Sequence, residues 1–220
     1  MTNRFDLTAA AFLFDMDGTL VDSTAIVEAI WQGFAPQHGL IAEEIISQSH
    51  GRQAMDTLAA FLPHLTWEEH RALADGLNAQ EEEMLDGIFE VAGASLLMQE
   101  LIDIGAPVAL VTSAHRQLAL ARMSAARVPL PPVLVTAEDI ARGKPAPDGY
   151  LRAAELLQVN VTDCAGFEDA ELGLQAVIAS GATPIVIGPH VSATTAGLPR
   201  LTHYADLTVE RVGERVRIHG

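Results

Sequence analysis

Lysine is almost missing from this chain. Lys144 is the only one among 220 residues, and the other twelve basic residues are arginines. Ammonium chemistry therefore has one side chain and the N-terminus to draw on. Cysteine is equally scarce: Cys164 alone permits no internal disulfide, which fits a reducing cytoplasm, the expected location. Its setting, Asp163-Cys164-Ala165-Gly166-Phe167, is an apolar strand, so a buried inert thiol is expected rather than a nucleophile. Basic residues number 13 against 29 acids, a net charge of −16. A nucleic-acid binder needs a basic patch, and none is present in the pattern. No apolar stretch reaches the roughly 18 residues of a membrane span. Met1-Thr2-Asn3-Arg4 opens none of the basic, long apolar and small-residue succession of a secretory leader. A monomer is expected, with a dimer as the alternative. Such acidity repels an anionic substrate at long range, so a phosphate site must gather positive charge locally.

What is present is a rhythm. Short apolar runs at Ala10–Phe14, Pro107–Val111, Val133–Val135, Cys164–Phe167 and Thr183–Ile187 read as buried parallel strands. Helical patterns separate them at 94–104, 117–127, 148–158 and 171–180, the last stopped by Gly181. In the third, Leu151, Ala154 and Leu157 fall at helical spacing. This alternation predicts an α/β fold, a doubly wound parallel sheet with a Rossmann-like core. Residues 23–88 break the rhythm and carry no strand-like run. Ile26, Val27, Ile30, Trp31 and Phe34 form one helical stripe, and Thr66-Trp67-Glu68-Glu69 is a capping box before a long helix. The expected organisation is a core of residues 1–19 and 90–220 with an inserted helical cap at 20–89, a candidate lid. Glu81-Glu82-Glu83 reads as a solvated face. Leu207–Val209 and Arg215–Ile218 read weakly as β.

Four strand ends carry polar signals, and in open parallel sheets such ends converge on one edge where ligands bind. The first is Asp15-Met16-Asp17-Gly18-Thr19. An aspartate carboxylate can form a phosphoenzyme, and a second carboxylate two residues on can move protons. Gly18 lets the chain turn sharply and frees backbone N–H groups for phosphate oxygens. The second, Thr112-Ser113, offers hydroxyls but also suits a turn or helix N-cap. The third is Lys144 between Gly143 and Pro145; alone it reads as a surface lysine. The fourth, Glu168-Asp169, alone suits a helix N-terminus, but beside Asp15 and Asp17 it becomes a hard-oxygen site suited to Mg²⁺. His115 reads equally as a substrate contact or a helix start.

These four motifs, in this order, resemble those of the haloacid dehalogenase-like hydrolase superfamily, and the insertion resembles the cap of its β-phosphoglucomutase-like subfamily. His50-Gly51-Arg52-Gln53 is similar to the cap substrate loop of bacterial sugar phosphatases and of yeast glycerol- and deoxyglucose-phosphate phosphatases. The resemblance implies that Asp15 attacks phosphorus and ligates Mg²⁺. Asp17 would be the general acid/base and ligate through its main-chain carbonyl. Thr112 and Lys144 would hold the phosphoryl group, with Ser113 beside them. Asp169 would ligate the metal, and Glu168 directly or through water. Gly51, Arg52 and Gln53 would meet the substrate when the cap closes, with a solvated surface arginine as the other reading of Arg52.

Within the superfamily, dehalogenases lack the second aspartate, which here is Asp17. Phosphonate hydrolases use a cap lysine, and residues 23–88 contain none. The mutases carry a histidine where this chain has Val27, and also a cap lysine. A Mg²⁺-dependent phosphomonoesterase acting on a small phosphorylated metabolite, above all a sugar or polyol phosphate, is therefore expected. A phosphosugar mutase, a phosphoglycolate or nucleotide phosphatase, and a non-catalytic sensor on the same fold are the alternatives.

Overall fold

An unbroken apolar run has no polar side to turn toward water, so it must be covered on both faces. Ala11-Phe12-Leu13-Phe14 is such a run, and in the computed structural model, which describes residues 5–220, it is the fully buried middle of the sheet. Met1 to Arg4, read above as no leader, lie outside the described residues. In chain order come β1 (Asp6–Ala9), β2 (Ala11–Phe14) and β3 (Val21–Asp22). Four helices follow: α1 (Thr24–Phe34), α2 (Ala42–Ser49), α3 (Ala54–Phe61) and α4 (Trp67–Glu83). Next are β4 (Phe89–Glu90), α5 (Ala94–Asp103), β5 (Val108–Val111), α6 (Arg116–Ala125), β6 (Val133–Val135), α7 (Asp148–Leu157), β7 (Cys164–Glu168) and α8 (Glu171–Ser180). The chain ends in β8 (Thr183–Ile187), β9 (Arg200–Leu201), β10 (Thr208–Val212) and β11 (Arg215–His219).

Six strands form one parallel sheet in the order β6-β5-β2-β7-β8-β9. The period of two sorts the side chains onto opposite faces. Phe12 and Phe14 enter one core with Leu110, Phe167 and the inner faces of α5 and α6; Phe14 stacks on Phe167 at 4.4 Å between ring centroids. Ala11 and Leu13 enter the other, with Val111, Val135 and the faces of α7 and α8. The doubly wound sheet expected from the sequence is the fold observed. Cys164 is buried, and burial, followed by the charge of Asp163, pushes its thiol up to about 11. Among the described residues no helix is long and apolar enough to cross a membrane.

Three local departures have physical causes. The first strand of the main sheet starts one residue later than expected, at Ala11, and the residues before it, Asp6-Leu7-Thr8-Ala9, form an unexpected strand that pairs antiparallel with β11, which also pairs with β10. Val216 and Ile218 alternate with Arg215 and Arg217 and bury one face, so the weak tail signal is a genuine half-buried sheet. Second, β3 and β4 form an antiparallel ribbon, Val21 opposite Glu90, that brackets the four helices; strands of two residues are too short to show a period. Third, α7 is turned so that Tyr150 and Ala153 face inward and Leu151 lies on the surface. Within the bracketed helices, Ile26, Ile30, Trp31 and Phe34 are buried as the stripe predicts. Thr66 and Glu69 make the reciprocal capping bonds that start α4.

Candidate active site

The central strand and its two neighbours end side by side, so β5 delivers Thr112, β2 delivers Asp15, and β7 delivers Glu168 and Asp169. After Asp15 the chain turns at once: the Met16 carbonyl accepts from the N–H groups of Thr19, Leu20 and Val21 at 3.2, 2.8 and 3.0 Å. Gly18 stands in the left-handed region at φ +78°, and a Cβ there would lie 2.0 Å from Asp169 Oδ2. Glycine is needed on both counts. Lys144 enters from the segment between β6 and α7. Its buried ammonium donates to Asp15 Oδ1 and lies 2.6 Å from Glu168 Oε1. The Tyr150 hydroxyl donates to the same Glu168 oxygen, which explains the inward turn of α7.

Asp15, Glu168 and Asp169 present oxygens that all lie within 4.8 Å of one another. With all three ionised, the one ammonium leaves two negative charges uncompensated in a dry pocket. Burial first, then the charge of Glu168, raise the Asp15 carboxyl to about 8 against the pull of Lys144. Burial, then Asp15 and Glu168, push Asp169 well above the usual carboxylate range. For Lys144 burial works to lower the pKa, but Asp15 and Glu168 outweigh it and the ammonium is held charged. Glu168 Oε2 and Asp169 Oδ1 are buried with no hydrogen-bond partner. Buried carboxylate oxygens without donors, carrying a charge excess of two, fit a hard divalent cation such as Mg²⁺.

Asp17 sits apart from this cluster on the wall of the cleft. Its Oδ1 accepts from Ser23 Oγ at 2.6 Å and from Arg122 Nη1 at 2.9 Å. Arg122, on α6, also donates through Nη2 to Glu81 Oε2 on α4 at 3.0 Å. Glu81 is therefore no solvated residue. Glu82 also reaches α6, accepting from Gln117 Nε2 at 2.7 Å and lying 3.1 Å from His115 Nε2. The two glutamates face a core helix, and only Glu83 keeps the expected solvated role. His115 starts α6, its Nδ1 accepting from Leu118 N, so of its two readings the helix start is the one seen.

The segment after α2 closes over the floor. Ser113 Oγ donates to the Gly51 carbonyl at 3.0 Å. Gly51, at φ +72°, leaves only 3.1 Å between its missing Cβ and that of Ala170. Thr112 lines the cleft, its Oγ1 accepting from Ala114 N at 3.1 Å. Arg52 lines the cleft on both sides of this loop, and among the described residues its guanidinium makes no hydrogen bond. Gln53 does not line it; its amide packs against Gly143 and its carbonyl accepts from Thr57 N, because it starts α3. Trp31, Val27 and Asn78 complete the roof. The structure thus gathers Asp15, Asp17, Thr112, Ser113, Gly51, Arg52 and Asp169 around one cleft, with Lys144 and Glu168 directly beneath.

Arg122, Glu81 and Tyr150 were missed in the sequence. A signal was available for Arg122: it falls four residues after Leu118 on the apolar stripe of α6, and a charge in such a stripe needs partners.

The chain is similar to known proteins. Hexitol phosphatase A of Escherichia coli is 40% identical over 176 residues, covering 80% of this chain and 82% of that protein. The 2-deoxyglucose-6-phosphate phosphatase 2 of Saccharomyces cerevisiae is 31% identical over 197 residues, covering 80% and 78%. The crystal structure of a β-phosphoglucomutase from Clostridium difficile shares the fold, with a TM-score of 0.78 at 20% identity over 91% of this chain and 93% of that one. The family model for haloacid dehalogenase-like hydrolases matches residues 9–181, from the strand that leads into Asp15 to the stop of α8, and the chain belongs to that family.

Proposed function

We propose that this phosphatase hydrolyses the phosphate ester of a sugar or polyol through a covalent phosphate on Asp15, with α1–α4 acting as the cap. The observation that carries the reading is the pairing of the buried Asp15 with the only lysine, beside two buried carboxylate oxygens, of Glu168 and Asp169, that have no hydrogen-bond donor. The named activities of the hexitol and deoxyglucose-phosphate phosphatases support the substrate class. So does a roof that offers the unbonded Arg52, together with Asn78 and His50, to a hydroxylated leaving group.

In this reading Lys144 orients Asp15 and offsets the repulsion between carboxylates and phosphate. The Asp15 carboxylate attacks phosphorus, the ester P–O bond breaks, and Asp17 protonates the leaving oxygen. Asp17 then takes a proton from water as that water attacks the aspartyl phosphate, which returns free Asp15 and releases phosphate. The Thr112 hydroxyl and the Ser113 backbone N–H hold phosphoryl oxygens, while the Ser113 hydroxyl bonds the cap loop at Gly51, which excludes solvent. Asp15, Asp169, Glu168 and the Asp17 main-chain carbonyl would hold Mg²⁺, which when bound neutralises charge on the transferring group. The mutase reading finds no cap residue to support it, since Val27 stands at the histidine position and residues 20–89 contain no lysine.

The test is a panel of phosphorylated sugars, polyols, glycolate and nucleosides, ranked by kcat/KM in Mg²⁺ and in EDTA. Sugar or polyol phosphates should lead and EDTA should stop turnover. Asp15→Asn should lose activity by several orders of magnitude, because an amide cannot form the acyl phosphate. Substantial turnover by a purified, non-deamidated Asn variant would end the nucleophile assignment.

A further inference from the structure

Arg122 is the one buried charge near the cleft that the reaction above leaves without a task. Its side chain is 3% exposed, yet it projects from a core helix to the boundary with α4. One nitrogen holds Asp17 at 2.9 Å and another holds Glu81 at 3.0 Å, so a single planar fork joins the core's Asp17 to a residue carried by α4. The Nε of the same guanidinium is buried and lacks an acceptor, so these two carboxylates are its whole anchorage. Ser23, immediately before α1, bonds the Asp17 oxygen that Arg122 bonds. Both donors sit on Oδ1, which leaves Oδ2 unbonded on a carboxylate that lines the cleft. Glu82 adds a parallel strut from α4 to Gln117 and His115 that does not touch Asp17.

We infer that Arg122 is a positioning residue that makes the orientation of Asp17 depend on the seating of α4. With α4 seated, Glu81 fixes one arm of the fork, and the other arm holds Asp17 with Oδ2 toward the leaving oxygen. With α4 lifted, Arg122 loses one of its two carboxylates and the fork is no longer held in place. Proton transfer to the leaving group is thereby confined to the closed cleft. Bidentate guanidinium geometry gives the required directionality, and a lysine would supply only a point charge. The inference rests on the proposed acid/base role of Asp17.

The test exploits leaving-group chemistry. An alkoxide needs a proton to depart, whereas para-nitrophenolate leaves without one, and kcat/KM covers only the steps through ester cleavage. Arg122→Met should lower kcat/KM for a hexitol phosphate by about 10- to 100-fold, a partial loss of a general-acid contribution of roughly 100-fold or more, while para-nitrophenyl phosphate falls by no more than about threefold. Glu81→Gln should shift the ratio of the two substrates in the same direction by a smaller factor. Arg122→Lys should restore part of it. Glu82→Ala, which cuts only the neighbouring strut, should leave the ratio unchanged. Equal losses on both substrates in Arg122→Met would reduce Arg122 to a structural role and overturn the inference, as would an unaltered ratio in Glu81→Gln. If Arg122→Met fails to fold, Arg122→Lys decides: a selective loss on the hexitol phosphate supports the role, and an unchanged ratio removes it. Asp17→Asn separates the two layers. If it spares the ratio, the acid/base reading falls and this inference with it; if it collapses the ratio while the Arg122 variants do not, the inference alone fails.

Discussion

Stripping the divalent cation should make the folded protein lose stability as pH rises from 5 to 8, the reverse of ordinary acid unfolding. The cause is the cluster of Asp15, Glu168 and Asp169 around one ammonium. In the folded state burial and mutual repulsion raise Asp15 from 3.8 to about 8 and push Asp169 up as well. The unfolded chain gives up these protons near 3.8. Between those values the folded state holds protons that the unfolded state has released, so stability falls with pH. The contribution is whole below the unfolded value and is lost as pH climbs toward the folded one. One proton over three pH units, at about 1.36 kcal/mol per unit, gives a loss of about 4 kcal/mol for Asp15 alone. Carboxyls held below their ordinary range, such as Asp148 and Glu171, act only at lower pH and do not enter this window. Glu81 and Asp56 are raised by burial and add in the same direction. They lie outside the cluster, so the comparison with and without Mg²⁺ isolates it. Urea unfolding at pH 5, 6, 7 and 8, in EDTA and in saturating Mg²⁺, measures both terms. Mg²⁺ should flatten the decline and stabilise more at pH 8 than at pH 5. Metal-free stability that is level or rising across this range, or an Mg²⁺ gain equal at both ends, would refute the account of the cluster.

Gly173→Ala should destabilise by about 1–3 kcal/mol and weaken the Mg²⁺ response in the same unfolding assay, although alanine ordinarily favours a helix; its Cβ would meet the Glu168 carboxylate carbon at 2.1 Å. An acylating reagent should leave Lys144 unmodified in the folded protein and label it in urea, because the ammonium is buried and held charged by two carboxylates. Peptide mass spectrometry showing Lys144 fully acylated in folded protein would contradict that burial. Arg52→Ala should lower kcat/KM for sugar phosphates by about 10- to 100-fold, the loss of one or two hydrogen bonds from a charged donor, and change para-nitrophenyl phosphate far less. Equal losses on both substrates would assign Arg52 to cap closure or phosphate binding instead.

The parts of this molecule that could be read in the sequence are those fixed by local patterns. Ala11–Phe14 had to be a covered strand because every position is apolar, and Gly181 had to stop α8 because the chain turns there at φ +90°. The polar residues after three such strands had to meet because neighbouring parallel strands end at one edge. What stayed hidden depends on pairs far apart in sequence. Arg122 and Asp17 lie 105 residues apart, and Arg122 and Glu81 lie 41 apart. A helical stripe shows that Arg122 is buried, but no period identifies the carboxylates that compensate it. The run of three glutamates misled for the same reason: composition gives its preference for water, and only the packing of α4 against α6 shows that two of them face a core helix.

The charge distribution explains why so acidic a chain can hold an anion. The surplus of acids is spread over the protein, and at physiological ionic strength its field is largely screened beyond about 8 Å. Within the cleft the relevant cations are Lys144, Arg122 and Arg52. Lys144 is held by Asp15 and Glu168, and Arg122 by Asp17 and Glu81. Lys144 cannot turn fully to a substrate without leaving a buried carboxylate unpaired, which costs several kcal/mol, and Arg122 cannot do so without giving up its bonds to the half-buried Asp17 and Glu81. In the proposed reading the phosphoryl group would therefore be met mainly by a divalent cation held in the acid cluster and by backbone N–H groups, with Lys144 as a shared contact. Arg52 is different in kind. It stands on the loop that closes the cleft and makes no hydrogen bond among the described residues, so a ligand would compete only with its charge attraction to Asp56. A charged donor free to bond without such a penalty is the natural place for discrimination among leaving groups, since a lost hydrogen bond there is not offset by another.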